Sequence, residues 1–97
     1  MASVRWSEQA LDDLDAVCLF IARDAPMAAE LFARSVFETT DRLEAFPQSG
    51  REVPETGRAD IRELIVGNYR VIYQLLDEDA VILTVHHGAR LLDDLQQ

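Results

Sequence analysis

Lysine is absent from this chain: all nine basic residues are arginine, set against 18 acidic ones, for a net charge of −9. Such a field repels polyphosphate and disfavours broad nonspecific nucleic-acid binding unless a local arginine cluster opposes it. The single cysteine, Cys18, excludes an internal disulfide. It falls on the apolar stripe of a helix and reads as a small buried hydrophobe in a reduced cytoplasm. No apolar run approaches the roughly 20 residues that a membrane span requires, and no signal-peptide pattern precedes the first structured residues. A soluble, cytoplasmic chain is expected. There are no repeats, low-complexity tracts or linkers, and 97 residues suit a single domain, 1–97, with a core that needs neither disulfide nor metal.

With three prolines and four glycines, each chain-breaking position marks a boundary. Val4-Arg5-Trp6 is long enough only for a short strand, and Ser7 after it is a good helix N-cap. From Glu8 to Arg23 the apolar residues Leu11, Leu14, Val17, Cys18 and Ile21 recur at three- and four-residue spacing, the signature of an amphipathic helix. Asp24-Ala25-Pro26 breaks it, and Pro26 opens a second helix to about Ala45, with Phe32, Val36 and Leu43 inward. So short a connector makes the pair an antiparallel hairpin. Phe46-Pro47 ends the second helix. Residues 48–60, polar and containing Pro54 and Gly57, are expected to be a surface loop with Arg51 and Arg58 solvated. Residues 91–97 are expected as one helical turn or a frayed tail.

Gly67-Asn68 between β-branched and aromatic runs is a two-residue hairpin turn. It sets Val66 opposite Tyr69, Leu64 opposite Val71 and Arg62 opposite Tyr73. A second turn through Asp77-Glu78-Asp79-Ala80 sets Leu76 opposite Val81 and Arg70 opposite His87. Alternation then assigns Leu64, Val66, Tyr69, Val71, Tyr73, Leu75, Ile82 and Thr84 to a core face. The other face carries Ile61, Glu63, Ile65, Arg70, Ile72, Gln74, Val81, Leu83 and His87. Arg70, His87 and, on a diagonal of roughly 7 Å, Glu63 cluster there. The fold class is α+β: a short N-terminal strand, then an antiparallel helix hairpin packed on a C-terminal antiparallel β-meander.

Each of these side chains also has an ordinary reading. Arg70 beside Glu63 describes a cross-strand ion pair covering apolar surface as well as it describes a site. His86 and His87 are strand neighbours, point to opposite faces and are poorly placed to share a metal. His86 caps the core edge; His87 suits proton transfer near neutral pH. No metal or cofactor is implied. The strip Ile65, Ile72, Leu76, Val81 and Leu83 is the kind of apolar surface that marks a protein partner.

The element order and a set of residues along nearly the whole chain resemble the ParE/RelE toxin family of type II toxin–antitoxin modules. They are Trp6-Ser7, Ala10-Leu11-Asp12-Asp13-Leu14, Pro26, Ala29, Leu43, Pro47, Gly50-Arg51, Arg62-Glu63-Leu64, Tyr69-Arg70-Val71-Ile72-Tyr73 and Val85-His86-His87-Gly88-Ala89-Arg90. The resemblance implies a cognate antitoxin covering sheet and helix-hairpin surfaces, here on the strip just named. It also implies one of two targets, since the RelE-like branch cleaves messenger RNA on the ribosome and the ParE-like branch poisons DNA gyrase.

Ribosome-dependent cleavage needs a base for the 2′-hydroxyl, a proton donor and cations for the phosphorane. The arginines that the RelE-like pattern requires match Arg70 and Arg90. Ile61 and Glu63 stand where it has lysines, and Gln96 lies near the position of its tail tyrosine. Single electrostatic groups of this kind are worth roughly 3 kcal/mol in the transition state. The expectation is therefore a ParE-like toxin that binds a protein target, DNA gyrase, through Arg70, Arg90, His87 and Glu63, with no catalysis of its own. Two alternatives stay open: an mRNA endonuclease using Glu63, Arg70, His87 and Arg90, and a degenerate, non-toxic antitoxin-binding member.

Overall fold

The computed structural model describes residues 2–89. In chain order it has β1 (Val4–Trp6), α1 (Glu8–Ala22), α2 (Pro26–Asp41) with a 3₁₀ turn at Arg42–Glu44, β2 (Arg51–Glu52), β3 (Ile61–Val66), β4 (Tyr69–Leu76) and β5 (Asp79–His87). The strands form one sheet in the order β1-β5-β4-β3-β2. β1 runs parallel to β5 and the other neighbours are antiparallel. The architecture is α+β, as the hydrophobic pattern requires, and the expected tail at 91–97 lies outside the described residues.

Local chemistry explains the element boundaries. Ser7 is extended, and its Oγ accepts the Ala10 N–H at 3.0 Å, capping α1. Pro26 sits in the first turn of α2, where its missing N–H has no helical partner to lose. α2 stops at Asp41, short of Ala45, because the last turn tightens to 3₁₀ geometry before Phe46-Pro47. Gly67 takes the positive φ that the first hairpin turn demands.

The helix hairpin covers one face of the sheet, where Ala10, Leu14, Val36 and Leu43 pack on Val66, Val71, Tyr73, Ala80, Ile82 and Val85. Each fully buried aliphatic side chain of this kind contributes about 1.5–3 kcal/mol. The Tyr73 hydroxyl is satisfied inside this core: it donates to the Pro47 carbonyl at 2.8 Å and accepts the Gly50 N–H at 2.9 Å. Burial pushes the Tyr73 phenol above its ordinary pKa. Gly50 must lack a side chain, because a Cβ there would lie 2.6 Å from the Tyr73 hydroxyl and 2.7 Å from the Glu63 carbonyl.

The register of β3 on β4 is the expected one. The second hairpin differs in two ways. Its turn is two residues, Asp77-Glu78, with Leu76 opposite Asp79, because Asp77 adopts a positive φ of 56° and Ala80 is a core residue. Further along, Tyr73 faces Ile82 while Ile72 faces Thr84, so Leu83 is an extra residue and β5 bulges. Thr84 is buried, but its hydroxyl donates to the Asp13 carboxylate of α1, which also accepts the Val85 N–H at 3.3 Å. The bulge shifts every later side chain by one: Val85 enters the core, His86 comes opposite Arg70 and His87 opposite Tyr69.

The segment 48–60 is also more than a loop. Arg51–Glu52 pairs with Arg62–Glu63, and Val53 then folds onto the sheet face away from the helices, making a second small core with Ile61, Ile72 and Leu83.

Candidate functional site

On that second face β3 and β4 deliver Glu63 and Arg70 from diagonal positions. The expected proximity is realised as a direct bond: Arg70 Nε donates to Glu63 Oε1 at 2.6 Å. The other Glu63 oxygen, Oε2, accepts from Arg51 Nε, brought over by β2. Arg70 extends its two Nη atoms to Glu55, at 2.7 and 2.9 Å, a bidentate pair from the turn that follows Val53. Arg51, Glu63, Arg70 and Glu55 thus alternate in sign along one chain of charge-assisted bonds.

The network is closed to solvent at its centre, with Glu63 1% and Arg70 6% exposed. Hydrogen bonding to Glu55, followed by that to Glu63, pushes the Arg70 guanidinium well above its ordinary pKa despite the opposing effect of burial. Such pairs nearly balance desolvation against attraction, while removing one member leaves a buried charge uncompensated. Both oxygens of Glu63 are already acceptors and the residue is buried, so Glu63 is not presented to an approaching ribose hydroxyl. The ion-pair reading of Arg70 and Glu63 is the one the geometry realises.

His87 is not part of this cluster. The bulge carries it to the helix face, exposed, with its ring edge-on to Tyr69 at a centroid distance of 5.4 Å and its Nδ1 accepting the Ala89 N–H. His86, expected at the core edge, instead takes the place opposite Arg70 expected for His87, half-buried. Arg90 lies outside the described residues. Among the described residues no group of His, Cys, Asp and Glu is arranged to hold a metal ion, and no helix is long and apolar enough to cross a membrane.

The expected partner strip is interrupted as well. Ile65 (56%) and Leu76 (43%) are exposed, Val81 and Leu83 are half-buried, and Ile72 is fully covered by the segment that carries Val53. Arg51 and Glu55 are the site residues that sequence reasoning missed. A two-residue strand leaves no alternation to read, and the only trace is an arginine, an aliphatic residue and a glutamate at odd positions 51, 53 and 55.

Comparison with known proteins gives concordant findings. A family model described as the ParE toxin of type II toxin–antitoxin systems, parDE, matches residues 4–92. Toxin RelE2 of Caulobacter vibrioides is 35% identical over 92 residues, which span 94% of this chain and 100% of that protein. The putative toxin Y4kP of Sinorhizobium fredii is 34% identical over 88 residues, 88% of this chain and 86% of that protein. Among solved structures, a chain of the chromosomal ParDE toxin–antitoxin system from P. aeruginosa shares the fold, with TM-score 0.75, 20% identity and coverage of 90% of this chain and 96% of that one. A chain of the toxin–antitoxin complex RelBE2 from Mycobacterium tuberculosis aligns with TM-score 0.56 and 25% identity, over 89% and 96%.

Proposed function

The chain belongs to the ParE toxin family of type II toxin–antitoxin systems, and from that premise we propose that it poisons a protein target, DNA gyrase, in the cytoplasm rather than cutting RNA. A cognate antitoxin neutralises it. The observation that carries this reading is the state of the residues an RNase would use. Glu63 and Arg70 are engaged with each other, with Arg51 and with Glu55, and His87 lies on the opposite face of the sheet. General acid–base catalysis needs its donor and acceptor within hydrogen-bond reach of one substrate. The charge of −9 and the absence of lysine also oppose docking on ribosomal RNA.

The antitoxin contacts fall on Ile65, Leu76, Val81 and Leu83, the part of the strip that keeps some exposure. Target contact falls to the exposed His87, with Arg90 beyond it in the chain. Ribosome-dependent mRNA cleavage is the second reading, supported by the 35% identity to a protein named RelE2. It requires Glu63, Arg70, His87 and Arg90 to converge after a rearrangement of both sheet faces.

The test is induced expression without antitoxin, followed by pulse labelling of DNA and protein synthesis, with His87→Ala as the companion variant because His87 is outside both cores. Early loss of DNA synthesis with double-strand breaks is the expected result. Early loss of translation with cut messages overturns it in favour of the RNase, and unimpaired growth identifies a non-toxic antitoxin-binding member.

A further inference from the structure

The segment 53–56 has the construction of a strap. Beyond Arg51, which stays on Glu63, residues 53–56 leave the sheet edge, cross β3 and reach β4 with two anchors: Val53 against Ile61 and Ile72, and Glu55 on Arg70. The strap's backbone is held to the sheet through the Val53 N–H to the Ile61 carbonyl at 3.1 Å, while the Thr56 N–H to Val53 carbonyl bond at 3.1 Å stays within the turn. The Glu55 side chain keeps 21% exposure against 7% for Arg70, so the carboxylate is the outer member of the pair. A desolvated ion pair gives back much of its attraction as lost hydration, so this latch is weaker than its bidentate geometry suggests.

We propose that Glu55 is an internal ligand of Arg70, and that lifting segment 53–56, with Arg51 left on Glu63, opens a site where an acidic segment of a protein partner takes its place. The occupant is read from what already sits there: an aliphatic side chain in the Ile61–Ile72–Leu83 depression, followed two residues later by a carboxylate on a guanidinium. A planar guanidinium held by Glu63 on one side suits bidentate capture of a carboxylate on the other. The apolar floor beside it, which takes an aliphatic side chain, favours a peptide over a polynucleotide. Arg70 is then a contact that becomes usable only when the strap opens. The inference rests on the reading that this chain acts on proteins, but not on which protein, and its test does not depend on toxicity.

The experiment is modification of the full chain by phenylglyoxal, with labelling at each arginine resolved by peptide mass spectrometry. In the unmodified protein Arg70 labels slowly beside the exposed Arg34. In Glu55→Gln it labels at least roughly tenfold faster, while Glu52→Gln, which breaks no described ion pair, changes nothing. The heptapeptide Arg-Glu-Val-Pro-Glu-Thr-Gly, the sequence of residues 51–57, added to the Glu55→Gln protein restores protection. The same peptide with glutamine at its second glutamate does not. Arg70 labelling as fast as Arg34 in the unmodified protein, or unchanged in a folded Glu55→Gln protein, overturns the latch. Protection by polyuridylate but not by the peptide overturns the protein partner. Should Glu55→Gln fail to fold, hydrogen exchange of the unmodified protein decides. The Val53 amide is expected to exchange roughly 100-fold faster than that of Val71, because local opening needs far less free energy than global unfolding, and equal protection overturns the strap.

Discussion

Glu63 accepts the Arg70 Nε–H at 2.6 Å across the β3–β4 diagonal while its other oxygen holds Arg51, so one buried carboxylate ties three strands together. The consequence for stability is asymmetric. Glu63→Ala leaves Arg51 and Arg70 facing each other without the carboxylate between them and is expected to cost about 3–5 kcal/mol. Glu63→Leu combined with Arg70→Met is expected to recover most of that loss. Urea denaturation of the three proteins checks it, and a single-variant loss under about 1 kcal/mol would show that the network contributes little.

Gly50 is a packing constraint before it is a backbone one. Gly50→Ala is expected to destabilise by about 1–3 kcal/mol, as overpacked cores do. Adding Tyr73→Phe removes the nearest clashing atom, the hydroxyl 2.6 Å from the new Cβ. Thermal melts of the single and double variants make the comparison. A double variant no more stable than Gly50→Ala alone would put the strain on the Glu63 carbonyl and the ring carbon Cε1 of residue 73, each 2.7 Å from the new Cβ.

Tyr73 fixes the alkaline limit. Its folded pKa is raised by burial, so the neutral phenol is the form the fold favours. The corresponding stability is fully present below the unfolded tyrosine value of about 10 and is lost as pH rises through the higher folded value. Denaturant titrations at increasing pH are expected to show a decline in this window that Tyr73→Phe lacks. Parallel declines in both proteins would assign the alkaline loss to other groups.

Asp13 pins α1 to the bulge of β5 by accepting from the Thr84 hydroxyl and the Val85 N–H. Asp13→Ala leaves both donors without this acceptor in a half-buried place and is expected to cost about 1–3 kcal/mol. Faster amide exchange at Val85 should accompany the loss, and an unchanged Val85 amide would mean that the bulge holds without the helix.

Most of the fold was legible because it is written in periodicities. The helix stripes, the Ser7 cap, Pro26 and the Gly67-Asn68 turn each leave a local signal, and the β3–β4 register with its Glu63–Arg70 pair follows from that turn alone. What stayed hidden has no period. An extra residue at Leu83 looks like any other member of an apolar run, yet it exchanges the places of His86 and His87 and removes His87 from the site. Asp77-Glu78 lacks the glycine that announces a two-residue turn. Arg51–Glu52 is too short to alternate, so neither Glu55 on Arg70 nor Val53 over Ile72 could be foreseen, and a strip that reads as open is partly roofed by the chain itself.

The pairing of β1 with β5 has a consequence for the order of events during synthesis. Val4–Trp6 are made long before their partners Ala80–Ile82, and Ser7, tied to the same strand through the Ile82 and Leu83 carbonyls, lies 76 residues from Leu83. The helix hairpin forms early from local contacts and then waits with its apolar face uncovered. A chain interrupted anywhere before β5 therefore has no sheet edge for its first strand and no completed core. The sheet closes only once β5 is made, so a product cut short of β5 lacks Ala80, Ile82 and Val85 from its core.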